Sequence, residues 1–161
     1  YKRHEHIRPN EKVNLNDIIS HSIELHQEIL KKNNIECQFE RESKNVKING
    51  DRNRLIEVFN NLIDNGIKYS EKNKKITITT KSESKNFLVT IKDQGIGISK
   101  ENIPQVTERF FRVDPAKSKE VGGTGLGLAI VKHIVNQHRA EMTISSEINK
   151  GTEISLNFPT I

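Results

Sequence analysis

The sequence predicts an α/β fold: a two-layer sandwich in which helices cover one face of a mixed, mainly antiparallel sheet. Three observations support this prediction. The chain has 161 residues, a length that suits one domain with a sizeable core. Segments with the apolar spacing of a helix are interspersed with segments that have the polar–apolar alternation of a strand. The strand segments do not follow the regular strand–helix–strand order of a parallel sheet, and this favours a sandwich.

The first part of the chain is predicted to hold one helix and two short strands. From Asn14, apolar residues recur at near-helical spacing and predict an amphipathic helix that ends near Asn33. Short strands are predicted at 35–40 and 46–48, and the pair Asn49-Gly50 after them is a turn signal. Residues 1–11 are polar and irregular, so we interpret them as a linker, with the domain proper at 12–161.

The longest predicted helix lies in the middle of the chain. Asp51 is a suitable N-cap, and the helix is predicted to run to about Tyr69. On a helical projection most of its apolar residues form a broad arc that would face the sheet, and a narrow stripe beside the arc is polar. The stripe consists of Glu57, Asn61, Asn65 and Lys68.

The rest of the chain predicts two pairs of antiparallel strands with a loop region and a helix between them. The residues after 97 form a short helix or turn and then a charged loop that contains Pro115. The predicted elements are strands at 76–80 and 87–91, a helix at 126–138, and strands at 141–145 and 152–158.

Composition indicates a polar globular chain and excludes some functions. Hydrophobic residues make up 33% of the chain and charged residues 29%, and no apolar run is long enough to span a membrane. The net charge is +5, but the basic residues are scattered among acidic ones, so we expect no nucleic-acid binding. Cys37 is the only cysteine, which fits a reducing cytoplasm. The chain begins at Tyr1 and not at a methionine, so we expect a fragment of a longer protein. A membrane anchor elsewhere in that parent protein is compatible with this sequence.

The polar stripe of the central helix is suited to hold magnesium. Asn61 and Asn65 are i,i+4 neighbours, so their amides lie one turn apart on the same side of the helix. Magnesium takes oxygen ligands, and a neutral amide oxygen is suitable where a triphosphate supplies the charge. Lys68, one turn further on, can reach a phosphate. A solvated helix face is the alternative interpretation of each residue taken alone.

Asp93 directly follows a predicted strand and begins the segment Asp-Gln-Gly-Ile-Gly. Its carboxylate can accept a hydrogen bond from the exocyclic amine of adenine, where guanine presents an oxygen. Gly95 and Gly97 allow a sharp turn and a close approach of the backbone to a purine. An ordinary Asp-x-Gly turn is the alternative interpretation of this segment.

A glycine-rich segment opens the helix predicted from residue 126. Consecutive backbone amides at the start of a helix form an anion site, so phosphates are expected there. The segment is not a Walker A loop, because Leu128-Ala129 stands where Lys and Ser or Thr are needed. It is not a dinucleotide-binding fingerprint either, because the stretch before it is charged and lacks a strand pattern.

Four segments, in this order and spacing, resemble the N, G1, F and G2 boxes of the sensor histidine kinases. They are residues 61–65, 93–97, 108–111 and 123–127. The resemblance runs from about Lys12 to Pro159. It implies the Bergerat ATP-binding fold, bound Mg-ATP, and a nucleotide lid at about 99–122.

The resemblance also implies roles for individual residues. Asn61 and Asn65 are implied as magnesium ligands, and Asn61 is also the implied catalytic residue. Arg112 is expected to reach either a phosphate or the partner domain, and Thr152 is expected to line the adenine pocket. The implied nucleotide-binding residues are Asn65, Lys68, Tyr69, Asp93, Gly95, Gly97, Ile98, Arg112, Gly123, Thr124, Gly125, Leu126, Gly127, Leu128 and Thr152.

The implied reaction is transfer of the γ-phosphoryl group of ATP to a histidine on a separate helical hairpin domain, and from there to an aspartate of a response regulator. Such a hairpin would make the parent protein a homodimer. His4 is not the acceptor, because the residues between it and Asn61 leave no room for a second hairpin helix. The other histidines are expected in structural or solvent-exposed positions.

Asn61 bears on the mechanism. Related ATPases of the gyrase, mismatch-repair and heat-shock types carry a glutamate at the equivalent position, which activates water. An amide is no usable base near neutral pH. We therefore expect ATP to be held for transfer and hydrolysed poorly.

Two other functions are compatible with the pattern: a serine kinase of the anti-sigma type, and a nucleotide-sensing module without catalysis. The chain also departs from the family pattern in two places. Gly66 replaces the usual alanine after Asn65, and Arg139-Ala140 replaces a usual pair of glycines. Neither change removes a ligand.

Overall fold

A five-stranded mixed sheet forms the centre of the fold in the computed structural model, which describes residues 10–70, 73–105 and 127–161. The sheet order is β2-β4-β5-β7-β6; β2 runs parallel to β4, and the other neighbours are antiparallel. The predicted mixed, mainly antiparallel sheet is thereby confirmed. In chain order the elements are β1 (Glu11–Val13), α1 (Leu15–Leu25), α2 (Gln27–Lys32), β2 (Glu36–Glu40), β3 (Ile48–Gly50), α3 (Arg52–Tyr69), β4 (Lys75–Glu83), β5 (Asn86–Lys92), a 3₁₀ turn (Ile103–Gln105), α4 (Gly127–Gln137), β6 (Glu141–Glu147) and β7 (Gly151–Pro159).

Alternation along the strands separates the two faces of the sheet. On one face, directly opposed residues such as Val89 and Leu156, or Phe87 and Phe158, are buried. Residues between them, such as Thr90 and Ser155, lie on the other face and are only half-buried. Burial of one face explains why the sequence of these strands alternates with period two.

Helix α3 packs between α1 and α4 against the apolar face of the sheet. Asp51 caps its first turn, since its Oδ1 accepts hydrogen bonds from the backbone N–H groups of Asn53 (3.1 Å) and Arg54 (3.3 Å). The arc that faces the core is formed by Leu55, Val58, Phe59, Leu62, Ile63, Gly66 and Ile67. The predicted cap and end of this helix are confirmed. Among the described residues no helix is both long and apolar enough to cross a membrane.

The expectation of one helix up to Asn33 is wrong, because the helix breaks at His26. The backbone N–H of His26 donates to the carbonyl of Ile23, and the His26 Nδ1 lies 2.8 Å from the carbonyl oxygen of Ser22. His26 ends α1 and its carbonyl accepts from Leu30 at the start of α2. The apolar spacing continues across the break, so the pattern does not reveal it.

The expected turn at Asn49-Gly50 is also wrong, because both residues belong to β3. This strand pairs antiparallel with β1, with Glu11 opposite Gly50 and Val13 opposite Ile48. Residue 11, which we expected in the linker, therefore begins the first strand. Three-residue strands are too short to show alternation, and their partners lie far apart in the chain.

His138 is buried, with 4% of its surface exposed, at the end of α4. Its Nε2 accepts the backbone N–H of Asp51 at 3.0 Å, and its Nδ1 lies 2.8 Å from the carbonyl oxygen of Ile134. Burial lowers the pKa of His138, and Asp51 and the Ile134 carbonyl offset only part of that effect. His138 thus joins the end of α4 to the start of α3.

Candidate nucleotide site

The two asparagines of the polar stripe lie half-buried in the second half of α3. The Asn61 Nδ2 donates to the carbonyl of Glu57 at 3.0 Å. This bond uses the amide nitrogen, so the Asn61 Oδ1 is the atom left to accept or to bind a cation, as far as the described residues show. Asn65 lies one turn further along the same side of the helix.

Gly127, the first residue of α4, faces these asparagines. A Cβ on Gly127 would lie 3.4 Å from the Asn65 Nδ2, 3.6 Å from the Asn65 Oδ1 and 3.7 Å from the Asn61 Oδ1. The end of the glycine-rich segment and the asparagines of α3 are therefore neighbours, although about sixty residues separate them in sequence. The structure brings together these two parts of the predicted site.

Lys68 forms an ion pair in this structure. Its Nζ lies 2.9 Å from the Oδ2 of Asp64, one turn earlier on α3. The two side chains are 26% and 39% exposed, so the pair is screened by solvent and is weak. Lys68 is therefore held by a residue one turn earlier on α3, in a pair weak enough to exchange for another anion.

Asp93 lies at the end of β5 and is held by its neighbours. Its Oδ1 accepts hydrogen bonds from the backbone N–H groups of Gly95 (2.9 Å) and Thr152 (3.2 Å), and its own N–H donates to the Thr152 carbonyl (2.9 Å). Burial raises the pKa of Asp93, and the two accepted hydrogen bonds offset only part of that effect. Among the described residues, both hydrogen bonds fall on Oδ1, which leaves Oδ2 to accept from a ligand.

The loop after Asp93 requires glycine where it packs against other backbone segments. Gly97 has a φ of 77°, and a Cβ there would overlap the carbonyl oxygen of Glu147. Gly151 has a φ of 114°, and a Cβ there would overlap the carbonyl oxygen of Asp93. The loop is further held by a hydrogen bond from the Ile96 N–H to the Tyr69 carbonyl at the end of α3. Tyr69, the Gly95–Gly97 loop and the start of β7 therefore meet at one end of the sheet.

Ser146 belongs to this end of the sheet, and the sequence did not single it out. Its Oγ accepts the backbone N–H of Ile98 at 2.7 Å and lies 2.8 Å from both the Gly151 carbonyl oxygen and the Thr152 Oγ1. Only the register of the β6–β7 hairpin, which puts Ser146 opposite Thr152, reveals this cluster. A lone serine in an alternating strand carries no signal of its own.

Part of the predicted site lies outside the described residues. This part comprises the segment 108–111, most of the predicted lid, and Arg112, Gly123, Thr124, Gly125 and Leu126. Ile98 is buried, and Leu128 is half-buried and packs against the core of the domain.

The donor set on α3 fits magnesium. Amide oxygens are hard, neutral ligands, and magnesium commonly binds one or two protein oxygens and completes its shell with water and phosphate oxygens. Gly127 has no side chain, so within the described part of the chain this residue places no atom beyond its backbone in front of the two amides. Asn61 and Asn65, on the side of α3 that faces Gly127, would hold such an ion.

Comparison with known proteins gives the class of domain. The family described as histidine kinase-, DNA gyrase B- and HSP90-like ATPases matches residues 50–161, and the chain belongs to it. Within this family it is similar to sensor histidine kinases. The phosphate regulon sensor PhoR of Pseudomonas aeruginosa is 39% identical over 70% of the chain, and SenX3 of Mycobacterium tuberculosis is 34% identical over 92%. The chain spans 26% of PhoR and 36% of SenX3.

Solved structures agree with this assignment. The catalytic domain of the histidine kinase ThkA superposes with a TM-score of 0.81 at 28% identity, covering 92% of this chain and 94% of that domain. ThkA in complex with the response regulator TrrA superposes with a TM-score of 0.78 at 26% identity, covering 94% of this chain and 42% of ThkA. The fold is the ATP-binding fold of histidine kinase catalytic domains, as the sequence predicted.

Proposed function

We propose that this domain binds Mg-ATP between α3, the Asp93 loop and the start of α4, and that its parent protein transfers the γ-phosphoryl group to a histidine on a separate hairpin domain. The observation that carries the proposal is the approach of Gly127 to the amides of Asn61 and Asn65. It joins the predicted magnesium ligands to the predicted phosphate loop at one place. The family membership supplies the nucleotide, and the similarity to sensor kinases supplies the reaction class.

The adenine base is proposed to lie against Asp93. The Asp93 Oδ1 is occupied by two backbone N–H groups, so Oδ2 is the atom that would accept the exocyclic amine. A guanine oxygen at that place would meet a carboxylate with no proton to donate, and GTP is therefore disfavoured. Thr152 lies directly against Asp93 and would line the same pocket.

The triphosphate is proposed to lie over the start of α4. Asn61 and Asn65 would hold magnesium, which neutralises phosphate charge when it is bound. Lys68 would leave Asp64 and pair with a phosphate, and the backbone N–H groups at the start of α4 would bind another. Gly123, Thr124, Gly125 and Leu126 are proposed to complete this loop. Catalysis would then consist mostly of positioning and charge neutralisation.

Asn61 is proposed to make the domain a poor ATPase. Its amide cannot take a proton from water near neutral pH, and its Nδ2 is already bound to the Glu57 carbonyl. The purified domain should therefore turn over ATP far more slowly than an ATPase that carries a glutamate base. A typical ATPase rate that Asn61→Ala abolishes would contradict this assignment.

Binding is tested first by calorimetric titration with a non-hydrolysable ATP analogue, with and without magnesium. Asp93→Asn is expected to remove binding, and Asn65→Ala is expected to remove the dependence on magnesium. Asp17→Asn, at an exposed position on α1, is the matched control and should bind like the wild type. A folded wild-type domain that binds no ATP would overturn the proposed site.

Transfer is tested separately, with a hairpin domain supplied in trans and ATP labelled at the γ-phosphate. A phosphohistidine is expected, and its label is lost in acid and kept in alkali. A label that resists acid would indicate a hydroxyl acceptor and favour the serine-kinase alternative. Tight binding without transfer to any hairpin domain would favour a nucleotide-sensing module. The response regulator and the homodimer are proposed from the family; a relative, ThkA, has been solved with its regulator.

A further inference from the structure

The side chain of Ser146 carries three hydrogen-bond contacts at once. The Ile98 N–H is 2.7 Å from its Oγ, and the Gly151 carbonyl oxygen and the Thr152 Oγ1 are each 2.8 Å away. These three groups come from the loop after Asp93 and from the first two residues of β7. A single hydroxyl on β6 therefore joins the two backbone segments that flank Asp93.

The chemistry of a hydroxyl fixes the direction of these bonds. A serine hydroxyl has one proton to donate and two lone pairs that accept. The Ile98 N–H can only donate, so it takes one lone pair. The Gly151 carbonyl can only accept, so it takes the serine proton. The Thr152 hydroxyl must then donate its proton to the second lone pair of Ser146.

Thr152 thereby presents only lone pairs to a ligand. Its proton is committed to Ser146, while its backbone N–H donates to the Asp93 Oδ1 at 3.2 Å. Thr152 and Asp93 consequently face the pocket as two neighbouring acceptors. A purine amine suits two acceptors, whereas a purine carbonyl does not.

We propose that Ser146 is a positioning residue of the adenine pocket, which fixes the Thr152 hydroxyl as an acceptor and so contributes to the choice of an amine over a carbonyl at the purine ring. This inference rests on the proposed function, because it assigns a role within the same site. Ser146 itself is not expected to touch the nucleotide. Its effect passes through the Thr152 hydroxyl.

The test compares the affinities of ATP and inosine triphosphate, which carries a carbonyl where ATP carries the amine and N1–H where ATP has an unprotonated N1. The readout is therefore the change that Ser146→Ala makes in the ratio of the two affinities, and not the ratio itself. In Ser146→Ala the Thr152 hydroxyl is free to rotate and donate to that carbonyl. The preference for ATP is expected to fall roughly fivefold, the size of one neutral hydrogen bond. Ser145→Ala is the matched control: the same substitution, one residue earlier on β6, at an exposed position on the opposite face. It should keep the wild-type preference.

A double substitution separates positioning from general loosening of the loop. In Thr152→Val there is no hydroxyl to orient, so adding Ser146→Ala should change the preference for ATP by less than about twofold. A fivefold change in that background, an unchanged preference in Ser146→Ala, or an equal change in Ser145→Ala would each overturn the inference. If Ser146→Ala does not fold, Ser146→Cys replaces it with the same expectations, because a thiol keeps the volume and is a weak hydrogen-bonding group.

The two levels of the proposal fail differently. A wild-type domain that binds neither nucleotide overturns the proposed function and the role of Ser146 with it. In the other case, the wild-type domain prefers ATP, Asp93→Asn binds no nucleotide, and Ser146→Ala keeps the wild-type preference. That result keeps the proposed function and removes only the role of Ser146.

Discussion

The substitution Gly127→Ala tests whether the space in front of the two asparagines holds the metal. The added methyl carbon would lie 3.6 Å from the Asn65 Oδ1 and 3.7 Å from the Asn61 Oδ1. A magnesium ion about 2.1 Å from such an oxygen carries its other ligands about 3 Å from it, so the methyl group would crowd the water and phosphate positions of the metal shell. Magnesium should therefore raise the affinity for ATP about 10- to 100-fold less in Gly127→Ala than in the wild type. This is the usual range when a group next to the ligands of a metal site is changed.

The fold should survive this change. The distances to the amides are those of ordinary van der Waals contact, and alanine is a better helix former than glycine, so the free energy of unfolding should change by less than about 1 kcal/mol. The assay is calorimetric titration of an ATP analogue with magnesium and with chelator, beside a thermal melt. Lys132→Ala, at an exposed position on the same helix, is the control.

Two results would refute the reasoning. Wild-type dependence on magnesium in Gly127→Ala would mean that the metal does not use this space. An equal loss of affinity with and without magnesium would mean that the methyl group distorts the pocket in general. Adenosine binding, which is proposed to involve only the Asp93 end, should stay within about threefold of the wild type, a change of less than 1 kcal/mol.

Three further outcomes are expected. A Cβ on Gly66 would lie 3.1 Å from the Cδ1 of Ile76, so Gly66→Ala should change the free energy of unfolding little in the wild type. Because Ile76→Val removes that Cδ1, Gly66→Ala should stabilise the Ile76→Val variant by about 1 kcal/mol. Denaturant melts that show destabilisation in both backgrounds would contradict this. Burial raises the pKa of Asp93 above 3.8, and a hydrogen bond from a bound amine favours the ionised carboxylate. The carboxyl resonance of Asp93, followed by NMR, should therefore titrate at lower pH with ATP than without it. An unchanged titration would show that no hydrogen-bond donor of the nucleotide meets Asp93. Burial lowers the pKa of His138 below 6.5, so the unfolded chain takes up its proton first and stability is lost as pH falls through 6.5 towards the folded pKa. His138→Gln should lower the free energy of unfolding at neutral pH, by roughly 1–3 kcal/mol if the Asp51 N–H is left without a partner. The loss should be smaller at lower pH. A loss that does not change with pH would refute the conclusion that the buried imidazole of His138 is neutral.

The long periodic segments were predictable because each carries its own signal. Helix α3 has a capping aspartate and a continuous apolar arc, and β4, β5 and β7 alternate over seven to nine residues. The asparagines and Asp93 were found for a different reason: their residue types and spacing resemble a family. Neither helical periodicity nor strand alternation would have selected them from other polar residues on the same elements.

The features that were missed depend on contacts between distant segments. The β1–β3 pair consists of three-residue strands, and nothing in Glu11–Val13 indicates that Ile48–Gly50 will lie beside it. Ser146 acquires its contacts only when the hairpin register places it opposite Thr152. His138 looks like any histidine at the end of a helix until α4 packs on α3 and its Nε2 meets the Asp51 N–H.

The contact through His138 joins the far ends of the two helices that carry the proposed phosphate site. Helices α3 and α4 run in opposite directions: the start of α4 lies beside Asn61 and Asn65, and its end lies beside Asp51. Eleven residues of α4 span about 16 Å, and the stretch of α3 from Asp51 to the two asparagines spans about 15 Å at Asn61 and about 21 Å at Asn65, so the two lengths are comparable. With the far ends joined at His138, the asparagines and Gly127 can separate only if a helix bends or the core opens. If Asn61 and Asn65 hold the metal as proposed, the fold itself keeps them beside the start of α4, and little ordering is left for the triphosphate to impose, as catalysis by positioning requires.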